Sequence, residues 1–265
     1  MVAVPLCFSK VPLLGVGSSC KYLFYVYSKN DSICCILDSD KIDTKIVKSS
    51  QQLTKYLKVP RIRNLYDKLK AEYAKRGPLA HGWDHIYRDT INAIWIGEAE
   101  GADMDIVIPA ILLHDISFLY DPHPKDHHLL GAKKCYEWLE DWSDNDKKKI
   151  AGCIKTHKGN KIEAKYKPQT LEEKVVNDAD LLEKVGAIGV LQGVRSMSEF
   201  AAQEVLPEFK SLYNVAKMLS NYSKKRRLLF YTKTGKKLAA RRGGNGSFRI
   251  GVFKRAVKEL EEYER

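Results

Sequence analysis

The sequence AILLHDI at residues 110–116 decides the fold, because it is an apolar run that ends in His114 followed directly by Asp115. Leucine and isoleucine on all sides predict burial. A buried imidazole beside a buried carboxylate costs on the order of several kcal/mol unless a partner compensates both groups. Two partners fit this pattern: the two side chains satisfy each other in the core, or they share a divalent cation.

The distribution of histidine favours the cation. All seven histidines of the 265-residue chain lie in residues 81–157, at positions 81, 85, 114, 123, 127, 128 and 157. Imidazole is the commonest metal-ligand side chain, so its concentration in one segment indicates a metal site.

Two further segments complete a candidate ligand set. Upstream, His81 and His85 are four residues apart and lie on one face if the segment is helical. Downstream, Asp178 and Asp180 are two residues apart and lead into an apolar segment at residues 185–190. The order along the chain is therefore His, then His-Asp, then Asp.

This pattern, H…HD…D with the last aspartate in an A-D-x-L context, resembles the HD superfamily of metal-dependent phosphohydrolases. Residues 81–116, 126–132 and 170–189 are similar to the small single-domain hydrolases of that superfamily, and the resemblance covers roughly residues 60–265. It implies a mainly α, multi-helix HD-domain bundle. It also implies hydrolysis of a phosphoester or phosphoanhydride bond of a small nucleotide-like substrate by a metal-bound hydroxide.

The resemblance also implies roles for individual residues. The metal ligands are His85, His114, Asp115 and Asp180. They hold a divalent ion whose identity stays open among Mn, Fe, Co, Ni, Zn and Mg. Asp178, beside the ligand, is expected to be a helix cap or a salt-bridge partner.

Basic side chains near these ligands are candidates to bind the phosphate. Arg88 is the first candidate because it follows His85 by three residues on the same helical face, and Lys125 and Lys158 come next because each lies beside a histidine. For each lysine, a solvated surface charge is an equally good interpretation.

Most of the remaining histidines also have candidate roles. His81 is a ligand-orienting residue, a general acid or a core histidine. His127, His128 and His157 resemble the additional histidines that relatives place around a second metal or the leaving group. One departure is that residues 116–120 contain no acid, which disfavours the guanosine tetraphosphate hydrolases and the deoxynucleotidase branch and leaves the leaving-group acid unnamed.

The basic charge has one source. Twelve of the 45 Lys and Arg lie in residues 224–255, which contain no acid, and the other 33 balance the 33 Asp and Glu. With its aromatic residues this segment fits a phosphate backbone, but a solvated helical face fits as well. The alternatives to a small-substrate enzyme are therefore a nucleic-acid or cyclic-nucleotide phosphodiesterase, or a nucleic-acid-binding or regulatory module with a structural metal.

Composition restricts the location of the protein. The six cysteines form no C-x-x-C pair, which indicates reduced thiols and a cytoplasmic protein. We expect no membrane association, because no run approaches the ~18 apolar residues of a membrane span.

Periodicity divides the chain into two parts. Residues 1–58 are expected to form a small β-rich appendage, with a hairpin of residues 22–27 and 33–37, and residues 59–265 an all-α domain. Helices are predicted at about 60–76, 84–100, 104–116, 127–140, 144–157, 198–222 and 248–264, and one further helix, capped by Thr170, carries Asp178 and Asp180.

Overall fold

The structure, a computed structural model, describes residues 52–121, 126–158, 166–202, 210–225, 229–244 and 247–263, together with four short strands nearer the N-terminus. The chain divides into two compact units, Met1–Gln52 and Leu53–Arg265. The boundary between residues 58 and 59 stays a prediction.

The first unit contains two antiparallel strand pairs. Strand β1 (Val11–Pro12) pairs with β2 (Tyr22–Leu23), and β3 (Val26–Tyr27) pairs with β4 (Ser32–Ile33). The remaining residues of the predicted hairpin lie outside the described residues, so the β appendage stays a prediction.

The second unit is helical, which confirms the predicted mainly α class. Its helices, numbered among the described residues, are α1 (Pro60–Arg76), α2 (Trp83–Glu100), α3 (Met104–Leu113), α4 (His127–Lys134), α5 (Asp144–Thr156), α6 (Leu171–Leu182), α7 (Gly186–Ala202), α8 (Leu212–Lys225), α9 (Lys233–Arg241) and α10 (Ser247–Leu260). Two 3-10 turns lie at Ile116–Leu119 and Cys135–Trp138.

Local signals set several helix ends where the sequence predicts them. Gly101 ends α2 in the left-handed conformation, with φ 76°. The Asp103 side chain accepts a hydrogen bond from the backbone N–H of Asp105 at the start of α3. Thr170 and Glu173 form a capping box at the start of α6. These caps fix the ends of the helices that carry the predicted ligands.

Three predicted helices are wrong in extent. Helix α3 ends at Leu113 rather than at residue 116, because Asp115 leaves the helical conformation with φ −107° and ψ 18°. Helix α4 ends at Lys134, and Asp126 makes no side-chain capping bond. The helix predicted over 198–222 is not continuous, because residues 210–211 are not α-helical before α8 begins at Leu212; residues 203–209 lie outside the described residues.

The main core lies between α2, α3, α5 and α6, which pack against one another. Fully buried side chains from these four helices include Ile94, Leu112, Ile154 and Val176. A second core joins α7, α8 and α10. Both cores border the candidate site, so its residues are held by packed helices.

Within the part of the chain that the structure describes, no helix combines the length and the apolar character needed to cross a bilayer. The predicted cytoplasmic location stays a prediction.

Candidate metal centre and substrate cavity

The fold brings the four predicted ligands together. His85 lies in the first turn of α2, His114 and Asp115 follow the end of α3, and Asp180 lies near the end of α6. All four side chains are buried, with residue exposures of 0 to 6%. Because α2, α3 and α6 pack on each other, ligands distant in sequence converge at one point.

Asp115 lies at the centre of the group. Its Oδ2 atom is 3.3 Å from Nε2 of His85 and 3.3 Å from Nε2 of His114. Burial acts to raise the pKa of Asp115, but the His114 charge and the close approach of both imidazoles hold this pKa well below its ordinary value. Asp115 is therefore a carboxylate, the form that binds a cation.

Asp180 completes the set. Its ligand oxygen lies within 4.8 Å of ligand atoms of His85, His114 and Asp89. The Lys184 ammonium is 2.6 Å from Asp180 Oδ2. Although burial acts to raise the pKa of Asp180, the Lys184 charge lowers it overall. Lys184 thus keeps the Asp180 carboxylate ionised in a dry environment.

Asp89 is a member of the cluster that the sequence analysis missed. It follows His85 by four residues, the spacing that places two residues on one helical face, and this was the available signal. Its residue exposure is 0%. Burial raises the pKa of Asp89 to about 8, and the neighbouring Glu183 and Asp180 charges act in the same direction although His85 and His114 oppose them.

The cluster fits a divalent cation. Three polar atoms of the cluster have no hydrogen-bond partner among the described residues: both carboxylate oxygens of Asp89 and Nε2 of His114. Burial acts to lower the pKa of His114, yet the charges of Asp115 and Asp89 raise it to about 9. In the absence of a metal ion, the proton on His114 compensates the neighbouring carboxylates. A bound divalent cation would replace that proton. The result is a buried His/Asp cluster with the donor types of a divalent metal site.

A second group adjoins the first through Asp115. The Oδ1 atom of Asp115 lies 3.7 Å from Nε2 of His127 and 3.7 Å from Nε2 of His157. Burial and the His114 charge lower the pKa of His157 to about 3, so its imidazole is neutral. His128 is also buried, and its ring packs against those of His127, His157 and Tyr166.

Groups around the ligands fix their orientation. His114 Nδ1 is 2.8 Å from the Ile111 carbonyl oxygen, which turns Nε2 toward the cluster. His85 Nδ1 is 3.7 Å from Glu183 Oε2, and Arg88 Nε donates to the same oxygen at 2.7 Å. Arg88 also donates to Asp84, and it is not one of the described residues that line the cavity.

Asp178 accepts hydrogen bonds from the segment that leads into α9, so among the described residues it is neither the helix cap nor the salt-bridge partner that was predicted. Its carboxylate accepts hydrogen bonds from the backbone N–H groups of Tyr231 and Thr232, at 2.9 and 2.7 Å, and from the Thr232 hydroxyl. Thr232 is itself the N-cap of α9. Asp178 therefore ties α9 to the ligand-bearing helix α6.

His81 lies beside the cluster rather than in it. Its ring stacks on Phe118 with centroids 4.1 Å apart, and its Nδ1 is 3.2 Å from Oε1 of the buried Glu199 on α7. The other oxygen of Glu199 accepts a hydrogen bond from the Ala80 backbone N–H. The imidazole is thus held by α7 and by the 3-10 turn that follows Asp115.

A cavity of about 370 Å³ opens beside the cluster. It has a polar end near the candidate ligands and an apolar wall from α7 and α8. The polar lining is formed by His81, His85, Asp115, His127, His157, Lys158, Asp180, Glu183, Lys184, Gln192, Ser196 and Arg249, and the apolar wall includes Gly193, Met197, Phe200 and Leu219. Lys125 lies outside the described residues, and the phosphate-binding roles of Lys125 and Arg88 stay predictions.

Comparison with known families agrees with this arrangement. The model of the HD domain matches residues 82–184, which contain all four predicted ligands. Residues 82–184 are therefore similar to the HD domain, which supports the predicted resemblance to the HD superfamily.

The comparisons also include a curated relative, the uncharacterized protein YpgQ of Bacillus subtilis. It is 32% identical over 113 residues, which are 42% of this chain and 54% of YpgQ. The match thus spans about half the length of that relative. YpgQ has been solved in complex with ADP, and that structure aligns at 23% identity over 76% of this chain and 96% of its own, with a TM-score of 0.45.

Two other solved structures show the same fold. A predicted HD superfamily hydrolase from an uncultured Thermotogales bacterium has a TM-score of 0.51 at 22% identity, covering 78% of this chain and 98% of its own. A Lactobacillus plantarum protein has a TM-score of 0.52 at 20% identity, covering 77% of this chain and 97% of its own. At these identities the likeness concerns the fold.

Proposed function

We propose that this protein is a divalent-metal-dependent phosphohydrolase that cleaves a phosphoester or phosphoanhydride bond of a small nucleotide-like substrate. The observation that carries the proposal is the convergence of His85, His114, Asp115 and Asp180 at the polar end of a 370 Å³ cavity. A buried N/O cluster that opens into a cavity suits a catalytic metal, since a structural site is closed on all sides.

The four proposed ligands would hold a divalent cation, and the bound cation would supply Lewis-acid chemistry near neutral pH. The chain's own residues do the rest. Lys184 and Lys158 line the cavity next to Asp180 and His157, and their ammonium groups attract the anionic phosphate. The apolar wall of α7 and α8 excludes water and fits an aromatic base.

His81 serves in this proposal as the proton donor for the leaving group. A carboxylate only accepts hydrogen bonds, so Nδ1 of His81 donates to Glu199. When the ring carries protons on both nitrogens, Nε2 delivers its proton to a leaving oxygen in the cavity that His81 lines, and the ring becomes neutral with Nδ1–H still bonded to Glu199. His128, packed behind His157, has a supporting role.

The experiment is phosphate or pyrophosphate release from a panel of nucleotides. The protein is stripped of metal and reloaded separately with Mn, Fe, Co, Ni, Zn or Mg, and Asp115→Ala is run beside it. We expect metal-dependent turnover that Asp115→Ala abolishes, while Asp67→Ala, an exposed aspartate on α1, retains it. No turnover by a folded, metal-loaded protein on any substrate contradicts the proposal.

A second candidate function is binding or cleavage of nucleic acid. The observation that favours it is the exposed basic face of α9, formed by Lys233, Lys236, Lys237 and Arg241. Binding of this kind weakens steeply with salt, because phosphate contacts release counterions. Salt-sensitive binding of RNA or DNA that Asp115→Ala leaves unchanged, in a protein without nucleotide turnover, identifies a binding module. Cleavage of the polymer that Asp115→Ala abolishes identifies a phosphodiesterase.

A further inference from the structure

We propose that Asp89 is itself a ligand of the divalent cation, so that the site has three carboxylates and two imidazoles rather than two of each. The inference rests on the metal site of the proposed function but not on the identity of the reaction. It adds a residue that lies outside the H…HD…D pattern of the sequence.

The first argument is the direction of the two imidazoles. Asp89 Oδ2 lies 3.3 Å from Nε2 of His85 and 3.5 Å from Nε2 of His114. In each ring Nδ1 faces away, toward Glu183 for His85 and toward the Ile111 carbonyl for His114. Nε2 is therefore the nitrogen that faces the cation in both rings, and the Asp89 oxygen lies on that same side.

The second argument is that Asp89 lacks the hydrogen bonds that other buried polar residues of α2 have. Two other buried polar residues of α2 are hydrogen-bonded: Thr90 Oγ1 donates to the Ile86 carbonyl at 2.8 Å, and Asn92 accepts from Arg242 at 3.0 Å. Asp89 is fully buried, and neither of its oxygens has a hydrogen-bond partner among the residues the structure describes. A buried carboxylate without hydrogen bonds needs a cation nearby.

The third argument concerns the surroundings of the carboxylate. The charged groups that approach it are the two imidazoles already named together with Glu183 and Asp180, both acidic. Three carboxylates in one dry cluster repel each other unless a cation lies between them. A divalent ion held by Asp89, Asp115 and Asp180 removes this repulsion directly.

A third carboxylate predicts which ions bind best. An oxygen-rich donor set suits Mn²⁺, Fe²⁺ or Mg²⁺, whereas a site with relatively more nitrogen suits Zn²⁺. We therefore expect the ratio of Mn²⁺ affinity to Zn²⁺ affinity to be higher in the natural protein than in a variant without the Asp89 carboxylate.

The test uses the full chain with Asp89→Asn and Asp89→Val, and Asp67→Asn as the matched exposed control. The readouts are Mn²⁺ and Zn²⁺ affinity by titration calorimetry, and thermal unfolding with EDTA and with Mn²⁺. We expect both Asp89 variants to bind Mn²⁺ at least about 100-fold more weakly, beyond the roughly 10- to 100-fold range for losing a group that only orients a ligand. Their Zn²⁺ affinity falls less.

Thermal unfolding distinguishes a metal ligand from a structural residue by the direction in which the stability of the metal-free protein changes. Removing an uncompensated buried carboxylate leaves the metal-free protein as stable as before, or more stable, while the stabilisation by Mn²⁺ shrinks. Mn²⁺ affinity within threefold of the natural protein overturns the inference. A lower stability of the metal-free variants, including failure of both variants to fold, also overturns the inference. A residue that acts only as a metal ligand does not stabilise the metal-free protein.

The failure of this inference is distinguishable from that of the proposed function. If the natural protein binds no divalent ion, both fail. If it binds Mn²⁺ and Asp115→Ala abolishes that binding while the two Asp89 variants do not, only the role of Asp89 fails.

Discussion

His81 Nδ1 lies 3.2 Å from Glu199 Oε1, a contact that joins the segment before α2 to α7 across 118 residues of sequence. Glu199 is buried at 3% exposure and also accepts the Ala80 backbone N–H. The pair therefore fixes the imidazole at the edge of the cavity, beside the candidate metal ligands. This arrangement leads to the first prediction.

We expect His81→Gln to lower kcat in a way that depends on the leaving group. For a substrate whose leaving oxygen needs a proton, the loss should be about 10² to 10⁴-fold, the usual contribution of a general acid. For a p-nitrophenyl ester, whose leaving group departs as a stable anion, it should be less than about tenfold. Steady-state kinetics on both substrates measure the difference.

The orienting role of Glu199 is tested in the same assay. Glu199→Gln should show the same dependence on the leaving group with a smaller loss, and the exposed Glu259→Gln on α10 should show none. Equal losses on both substrates, or weaker metal binding in His81→Gln, would assign His81 to the metal site instead.

The second prediction concerns Glu183, whose side chain is 1% exposed and lies 3.7 Å from His85 Nδ1. Carboxylates in this position fix the orientation of a metal-binding imidazole. Glu183→Gln should therefore weaken Mn²⁺ binding by about 10- to 100-fold. Titration calorimetry on metal-free protein measures it, and unchanged affinity would show that Glu183 has no such role.

Calorimetry also distinguishes two possible roles of Arg88, which either supports the metal site through Glu183 or binds the substrate phosphate. Its Nε donates to Glu183 Oε2 at 2.7 Å, so we expect Arg88→Met to weaken metal binding in the direction that Glu183→Gln does. If Arg88 instead binds the substrate phosphate, the substitution raises KM and leaves the Mn²⁺ affinity intact. Arg63→Met, an exposed arginine on α1, is the control.

The third prediction is a pH dependence of stability at the contact between α2 and α9. The Thr234 backbone N–H donates to Glu100 Oε1 at 2.6 Å, and the hydrogen bonds with Thr234 lower the pKa of Glu100. Because the pKa of Glu100 is lower in the folded protein than in the unfolded chain, the ionised carboxylate stabilises the fold at pH values above the ordinary pKa of a glutamate. This stabilisation is lost as the pH falls through the folded-state pKa.

Glu100→Gln should therefore lower the free energy of unfolding by about 0.5 to 1 kcal/mol at pH 7, a range that allows for solvent screening. The difference should shrink as the pH falls below about 4. Urea denaturation at several pH values measures it, with the exposed Glu140→Gln as control. A difference that is constant with pH would rule out a contribution from the Glu100 charge.

The fourth prediction concerns two buried thiols. Burial raises the pKa of Cys135 to about 12, and burial with the Glu173 and Glu172 charges raises that of Cys153 well above its ordinary value. Because the thiolate is the reactive form, we expect neither to react with iodoacetamide in the native protein at pH 8. Both should react fully in urea, as peptide mass spectrometry would show. Rapid modification of the native protein would indicate local opening of α5 or of the turn at Cys135–Trp138.

Local patterns in the sequence were enough for most of the helices. Apolar periodicity and the caps at Asp103 and Thr170 gave the starts of α3 and α6, because these signals act within a few residues. The interruption before α8 was missed, although Pro207 inside the predicted helix was a local signal against its continuity.

Residue types and their order along the chain were enough to predict the mainly α fold class and to select four candidate ligands, which the structure brings close together. Only the tertiary structure decided which other side chains surround them. Asp89, Glu183 and Glu199 are ordinary acids in sequence, and their burial beside His85 and His81 depends on how α2, α6 and α7 pack. The cost of burying a charge is a property of its surroundings, which exist only once distant segments have come together.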